Sequence, residues 1–174
     1  MDKLVGESRL PSIAIEDQTG TITSRSTAPN QAEPSGSDAS MEFAPRLGMS
    51  AEERLIVGPA HRITFADDRM PAVLATLWLV AHLEYAARAA IAPCLTDDER
   101  SVGTYVEVEH LAPVPEGNEV TCKARVILID GPVVTFQIEA LDRWEPVARG
   151  IHKRRIIDVD RFTRRVVKKI NSNS

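Results

Sequence analysis

The sequence predicts an α+β fold, an antiparallel sheet wrapped around one long buried helix. Three observations lead there. First, Pro71 to Leu95 (PAVLATLWLVAHLEYAARAAIAPCL) is almost wholly apolar and far too long for a strand, which reads as an enclosed helix. Second, the residues after it alternate apolar and polar in runs of roughly ten, broken by turn residues, as a meander of strands does. Third, the layer rule leaves few ways to cover such a helix, and a single sheet curled around it buries both faces.

Residues 1–40 are rich in Ser, Thr, Pro, Gly, Gln and Asn and show no period. They cannot bury enough apolar surface to offset ordering entropy, so a disordered tail is expected there and a folded domain over residues 41–174. Glu53 to Val57 and Arg62 to Phe65 read as short strands broken by Gly58-Pro59. Ala66 to Met70 is a polar connector, and Pro71 suits a first helical turn. Pro93 stops the helix, and Thr96 to Arg100 is a charged loop. In the next strand, Val102 to Ala112, simple alternation puts Val102, Thr104, Val106, Val108 and His110 on one face. Glu119 to Ile129 and Val133 to Leu141 form a hairpin around Asp130-Gly131. Pro146 to Ile157 is the last strand, and a basic helix runs from about Val159 to Ile170.

Composition excludes several classes. At 174 residues, with 43% hydrophobic and 26% charged, the chain is of ordinary globular type. A net charge of -4 gives it no overall attraction to nucleic acid. His82, Glu84 and Arg88 in mid-helix argue against a membrane span, and the N-terminus has no signal-peptide core. Cys94 and Cys122 lack metal-site spacing and form no framework, which fits a cytoplasmic protein without a metal or cofactor.

Three residues carry the candidate chemistry. Glu84 lies in line with Leu77, Val80, Ala81, Ala87 and Ile91, and a carboxylate there is costly unless paired or hydrogen-bonded. An ion pair with Arg88, one turn later, is the structural alternative. Thr76 stands near the helix start, where a hydroxyl is also a common cap. His110 sits on the apolar face of its strand, and an unperturbed imidazole moves protons near neutrality. A hydroxyl, a carboxylate and an imidazole are the parts of acyl-transfer machinery.

The pieces Val-Leu-Ala-Thr (73–76), Leu-Glu-Tyr-Ala (83–86), Ala-Pro-Cys-Leu (92–95), Val-Gly-Thr (102–104), Val-Glu-His (108–110), Pro-Glu-Gly (115–117) and Gly-Ile-His-Lys-Arg (150–154) occur in this order. In order and spacing they resemble the hot-dog fold thioesterases typified by fluoroacetyl-coenzyme A thioesterase. The resemblance implies hydrolysis of an acyl-CoA by Thr76, Glu84 and His110, with Gly103 near the thioester carbonyl and His152 and Arg154 binding substrate. It also implies a homodimer. Two departures stand out. Ala66-Asp67-Asp68-Arg69-Met70 lacks the phenylalanines that the family's type member carries before the helix, so an acyl group other than fluoroacetyl is expected. Met70 and Trp78 are then candidate pocket lining, core packing being the favoured alternative for Trp78. Leu77 follows the threonine where many relatives have proline.

Thr76 and Glu84 are eight residues apart, about 12 Å and about 80° on a regular helix, and cannot share a hydrogen bond. Thr76 either precedes the regular helix or meets the acid of a second subunit, so a site at a dimer interface is expected. Glu84 could orient the imidazole, attack, or hold water; Thr76 could be nucleophile or donor. From Ile151 to Ile170 eight basic residues face two acids, a local charge of +6 (8 - 2). That stretch is either a solvated amphipathic helix or a cradle for CoA phosphates. The competing functions are a catalytically silent acyl-CoA-binding module and a hot-dog hydratase or dehydratase, in which the threonine would be idle.

Overall fold

Five strands alternate in direction because short, polar turns join most of them. In the computed structural model, which describes residues 44–64 and 69–172, these are β1 Ser50–Ile56, β2 Glu99–His110, β3 Glu119–Asp130, β4 Val133–Leu141 and β5 Pro146–Asp158. Between β3 and β4, Gly131 adopts φ 52°, a left-handed turn conformation that glycine takes without steric cost. Between β4 and β5, the Asp142 carboxylate accepts the backbone N–H groups of Trp144 and Glu145, both at 2.8 Å. The sheet order is β1-β3-β4-β5-β2, with every neighbouring pair antiparallel. Both β1 and β2 are edges. The described residues all fall in one unit of the chain, Ser35–Ser174, so the expected tail at residues 1–40 lies outside them.

Period-two alternation sends Val120, Cys122, Ala124 and Val126 of β3 and Val134, Phe136, Ile138 and Ala140 of β4 to one face. Helix α1, Thr76–Ile91, lies on that face through Leu79, Leu83, Ala86, Ala87, Ala90 and Ile91. The alanines let the helix axis come close to the sheet. Cys94 and Cys122 are free and buried, and burial pushes the Cys122 thiol up to about 12.

The helix departs from its expected form in two ways. It starts at Thr76, not Pro71, because the preceding backbone is taken up by neighbours. Leu74 N–H donates to Val114 at 2.9 Å, and Ala75 N–H to His61 at 2.8 Å. The expected strand at Arg62 shrinks to an isolated bridge with Leu74; Phe65 lies outside the described residues. Nor is α1 enclosed all round: Leu77 is 64% exposed and Tyr85 47%. Its sheet-facing side is covered and its other flank is open.

Strand β2 begins earlier than expected, at Glu99, and carries a bulge at Thr104. Gly103 pairs with Arg154, but Tyr105 already pairs with Lys153. One extra residue in β2 switches the alternation, so Gly103 shares the inner face with Val106, Val108 and His110, and Val102 leaves it. The Thr104 hydroxyl donates to the Lys153 carbonyl at 3.2 Å, which holds the bulge. Helix α2, Val159–Asn171, caps on Asp158, whose carboxylate accepts Arg161 N–H at 2.7 Å; it buries no residue. Among the described residues no helix is long and apolar enough to cross a membrane.

The β2–β5 contact is tightest at Gly150, where an added Cβ would stand 1.9 Å from the Glu107 carbonyl oxygen and 3.0 Å from Val108 Cα. Backbone cannot yield as a side chain can. Gly150→Ala is expected to destabilise the fold by about 3 kcal/mol or more, read from the urea midpoint. An unchanged midpoint would show that the two strands can move apart freely.

Candidate active site

Two groups of polar side chains lie under α1, one at its start and one in its middle. The extended segment before α1 is pinned by its bonds to His61 and Val114, and this fixes where the first helical residue, Thr76, emerges. His110 is the last residue of β2. Their side chains meet: Thr76 Oγ1 is 2.9 Å from His110 Nδ1. The other ring nitrogen, Nε2, is buried and has no hydrogen-bond partner among the described residues. With the hydroxyl donating to Nδ1, Nε2 carries the ring proton and lacks an acceptor.

Glu84 lies two turns along α1, and its partner is not Arg88 but Arg154, in the middle of β5. Arg154 NH1 donates to Glu84 Oε1 at 2.9 Å, with the guanidinium side chain 4% and the carboxylate side chain 41% exposed. Arg154 Nε donates to the Ser101 hydroxyl at 3.0 Å and NH2 to the Ser101 carbonyl at 2.8 Å. Burial pulls the Arg154 pKa below its ordinary value, and the bonds to Glu84 oppose that. Glu84 Oε2 has no hydrogen-bond partner among the described residues, so one oxygen is held and one is available.

His152 backs this pair. Its Nδ1 is 2.8 Å from the Tyr105 carbonyl and its Nε2 is 3.4 Å from Arg154 NH1. A carbonyl needs an N–H opposite and a guanidinium needs a lone pair, so the ring is the neutral Nδ1–H tautomer. Burial first, and the Arg154 charge after it, lower its pKa. Gly103 faces both side chains. A Cβ there would lie 2.8 Å from Glu84 Oε1 and 3.2 Å from His152 Cε1. The missing side chain is what lets the carboxylate reach Arg154 past β2.

The structure thus joins Thr76 to His110, and Glu84 to Gly103, His152 and Arg154, but within one chain these two groups do not meet. Trp78 is half-buried against the core, its ring edge-on to His61 at 5.1 Å. Met70 is 51% exposed, and Ala66, Asp67 and Asp68 lie outside the described residues. Ser101, which accepts from Arg154 through both its hydroxyl and its carbonyl, went unnoticed in the sequence because nothing around it marks a buried cation. Among the described residues no group of three or more His, Cys, Asp or Glu is placed to hold a metal ion.

Gly103→Ala should leave the fold intact, since the flexible Glu84 can swing away, yet displace the carboxylate from Arg154. We expect a near-normal melting temperature and a loss of activity of at least about tenfold; full activity would show that Glu84 need not sit there. For His152 the sign follows from its lowered pKa. The unfolded chain takes up a proton below about 6.5 that the folded chain refuses, so stability is full above that pH and falls as pH drops below it. The His152 ring in the folded protein should titrate below 6.5 by NMR, and the denaturation midpoint should decrease from pH 7 toward pH 5.5. His82, also lowered by burial, adds to the same trend.

Residues 57–160 match the family described as fluoroacetyl-CoA-specific thioesterase. The fluoroacetyl-CoA thioesterase of Streptantibioticus cattleyicolor is 33% identical over 134 residues, which span 70% of this chain and 95% of that one. A solved fluoroacetyl-CoA thioesterase superposes with a TM-score of 0.67 at 28% identity, covering 72% of this chain and 98% of the other. A phenylalanine variant of such an enzyme is also solved in complex with fluoroacetate and CoA. A hot-dog-like protein from Thermanaerovibrio acidaminovorans, 25% identical, matches with a TM-score of 0.67 over 74% of this chain and 94% of its own. With its curled antiparallel sheet, its helix and these matches, the chain has the hot-dog fold and belongs to the fluoroacetyl-CoA-specific thioesterase family.

Proposed function

We propose that this chain hydrolyses an acyl-CoA thioester with Thr76, His110 and Glu84, the set being completed across the two-fold of a homodimer. Thioester hydrolysis follows from the family. The assignment of residues is carried by one observation: Thr76 Oγ1 lies 2.9 Å from His110 Nδ1, while the buried Nε2 has no hydrogen-bond partner among the described residues. A carboxylate is the acceptor that would complete a nucleophile–base–acid arrangement. Glu84 has a free oxygen, but in its own chain it is two helical turns away.

A second copy would remove the mismatch. Among the described residues edge strand β2 is unpaired on its outer side, and the open flank of α1 exposes Leu77 and Tyr85. Two-fold pairing on this side brings the Thr76–His110 end of one subunit toward Glu84 of the other. In the resulting reaction, Thr76 Oγ1 bonds to the thioester carbonyl carbon as its proton passes to His110 Nδ1. The C–S bond breaks and His110 returns the proton to the CoA sulfur. Water then repeats the sequence on the acyl-threonine, releasing the free acid. Gly103 leaves the flank of Glu84 open, where the thioester carbonyl can approach. His152 and Arg154 act as positioning residues behind the acid. The acyl group is other than fluoroacetyl, since Ala66 to Met70 holds no aromatic residue.

A free-thiol assay over a panel of acyl-CoA esters, fluoroacetyl included, tests the activity. Steady thiol release is expected. Binding without release would point to a silent module, and loss of enoyl absorbance without thiol to a hydratase. Glu84→Gln and His110→Ala should each lower kcat by at least about a hundredfold. Mixing Thr76→Ala with Glu84→Gln tests the shared site. Half the dimers formed are hybrids, each with one intact site, so roughly a quarter of wild-type activity should return. No recovery, with hybrid dimers shown by mass spectrometry, would place the whole set in one subunit.

A further inference from the structure

A cleft at the foot of α2 takes no part in the chemistry above. It has a volume of about 580 Å³ and lies between the β3–β4 turn at Pro132, the end of β5 and the first two turns of α2. Arg155, Arg161, Arg165 and the ring of Phe162 line it. All four are exposed, Phe162 by 43%, and the three guanidinium groups have no hydrogen bond or ion pair among the described residues. Arg161 and Arg165 are one helical turn apart and repel each other. The carboxylate in the lining, Asp158, is engaged in capping α2. The cleft therefore concentrates unbalanced positive charge around an aromatic face in a chain whose net charge is -4.

Guanidinium forks match phosphate oxygens, and an aromatic face stacks on a base. The cleft also lies close to the reacting centre. Asp158, at its rim, is four residues along β5 from Arg154, about 13 Å of strand. We propose that this cleft binds the 3′-phospho-ADP end of the CoA substrate, with the adenine on Phe162 and the phosphates on Arg155, Arg161 and Arg165. The pantetheine arm then runs back along the β2–β5 end toward Glu84. This rests on the thioesterase reading. It carries a consequence for specificity: esters of free CoA are preferred over esters on the pantetheine arm of a carrier protein, which has no adenosine to anchor.

The test uses one acyl group on three leaving groups, CoA, 3′-dephospho-CoA and pantetheine, with wild type and the Arg161→Ala/Arg165→Ala variant. We expect the variant to raise KM for acyl-CoA at least about tenfold, with kcat unchanged. Its disadvantage should shrink with the dephospho ester and vanish with the pantetheine ester. Adenosine 3′,5′-bisphosphate should compete with acyl-CoA on wild type and bind the variant at least about tenfold more weakly by calorimetry. Equal KM values for acyl-CoA in the two proteins would overturn this inference and leave hydrolysis standing. Should wild type release no thiol from any ester, the hydrolase reading falls, and calorimetry with the bisphosphate still decides the cleft: equal binding to both proteins, or none, overturns it. Binding of both proteins to anionic vesicles without bisphosphate binding would assign the arginines to a membrane surface and overturn it as well.

Discussion

A buried guanidinium ties α1, β2 and β5 together. Arg154 is 3% exposed, and an unmatched charge at that depth would destabilise the fold by several kcal/mol. It is matched by three elements at once: Glu84 on α1, the Ser101 hydroxyl and carbonyl on β2, and His152 on its own strand. Each match constrains the acceptor. The helix must present Glu84 over β5, β2 must carry Ser101 opposite, and His152 must stay neutral to accept. The network holds one carboxylate oxygen and leaves the other without a partner among the described residues, as the role proposed for Glu84 requires.

That arrangement depends on a local irregularity. Without the extra residue in β2, Gly103 and His110 could not both face α1. With it, the strand presents a glycine where Glu84 passes and an imidazole where Thr76 emerges. Glu84 and Arg154 then meet over the space a side chain would fill, and the Thr76–His110 contact forms at the far end of the same strand. One strand therefore serves two groups of residues that its own helix keeps apart. A helix cannot bend eight residues onto one point, so within one chain the two groups stay apart, and the proposed second subunit would join them at the open flank of α1 and the edge of β2.

The cationic cleft under α2 fits the same division of labour. Helix α2 buries nothing and contributes little to the core, which frees its arginines from structural duty. Substrate binding energy gathered far from the reacting bond can be used to hold the thioester in place. A CoA ester is well suited to this, because its highly charged end is far from its reacting end.

Much of the fold was legible in the residues themselves. Alternation in Glu119 to Leu141, the Asp130-Gly131 turn and the apolar run from Pro71 are local patterns, and local sterics and burial impose them wherever the chain goes. Thr76, Glu84 and His110 also stood out singly, each being polar in apolar surroundings. Contacts between distant segments were not legible. The start of α1 was decided by the bonds that Ala75 N–H and Leu74 N–H donate to the carbonyls of His61 and Val114, 14 and 40 residues away along the chain, which no local pattern announces. The partner of Glu84 was decided by packing, which brought Arg154 from β5 where helical spacing offered Arg88. The bulge at Thr104 came from the pairing of β2 with β5, which no property of β2 alone announces. Periodicity is a property of one segment and survives in the sequence; register and ion pairing are properties of two segments and exist only once the sheet has closed over the helix.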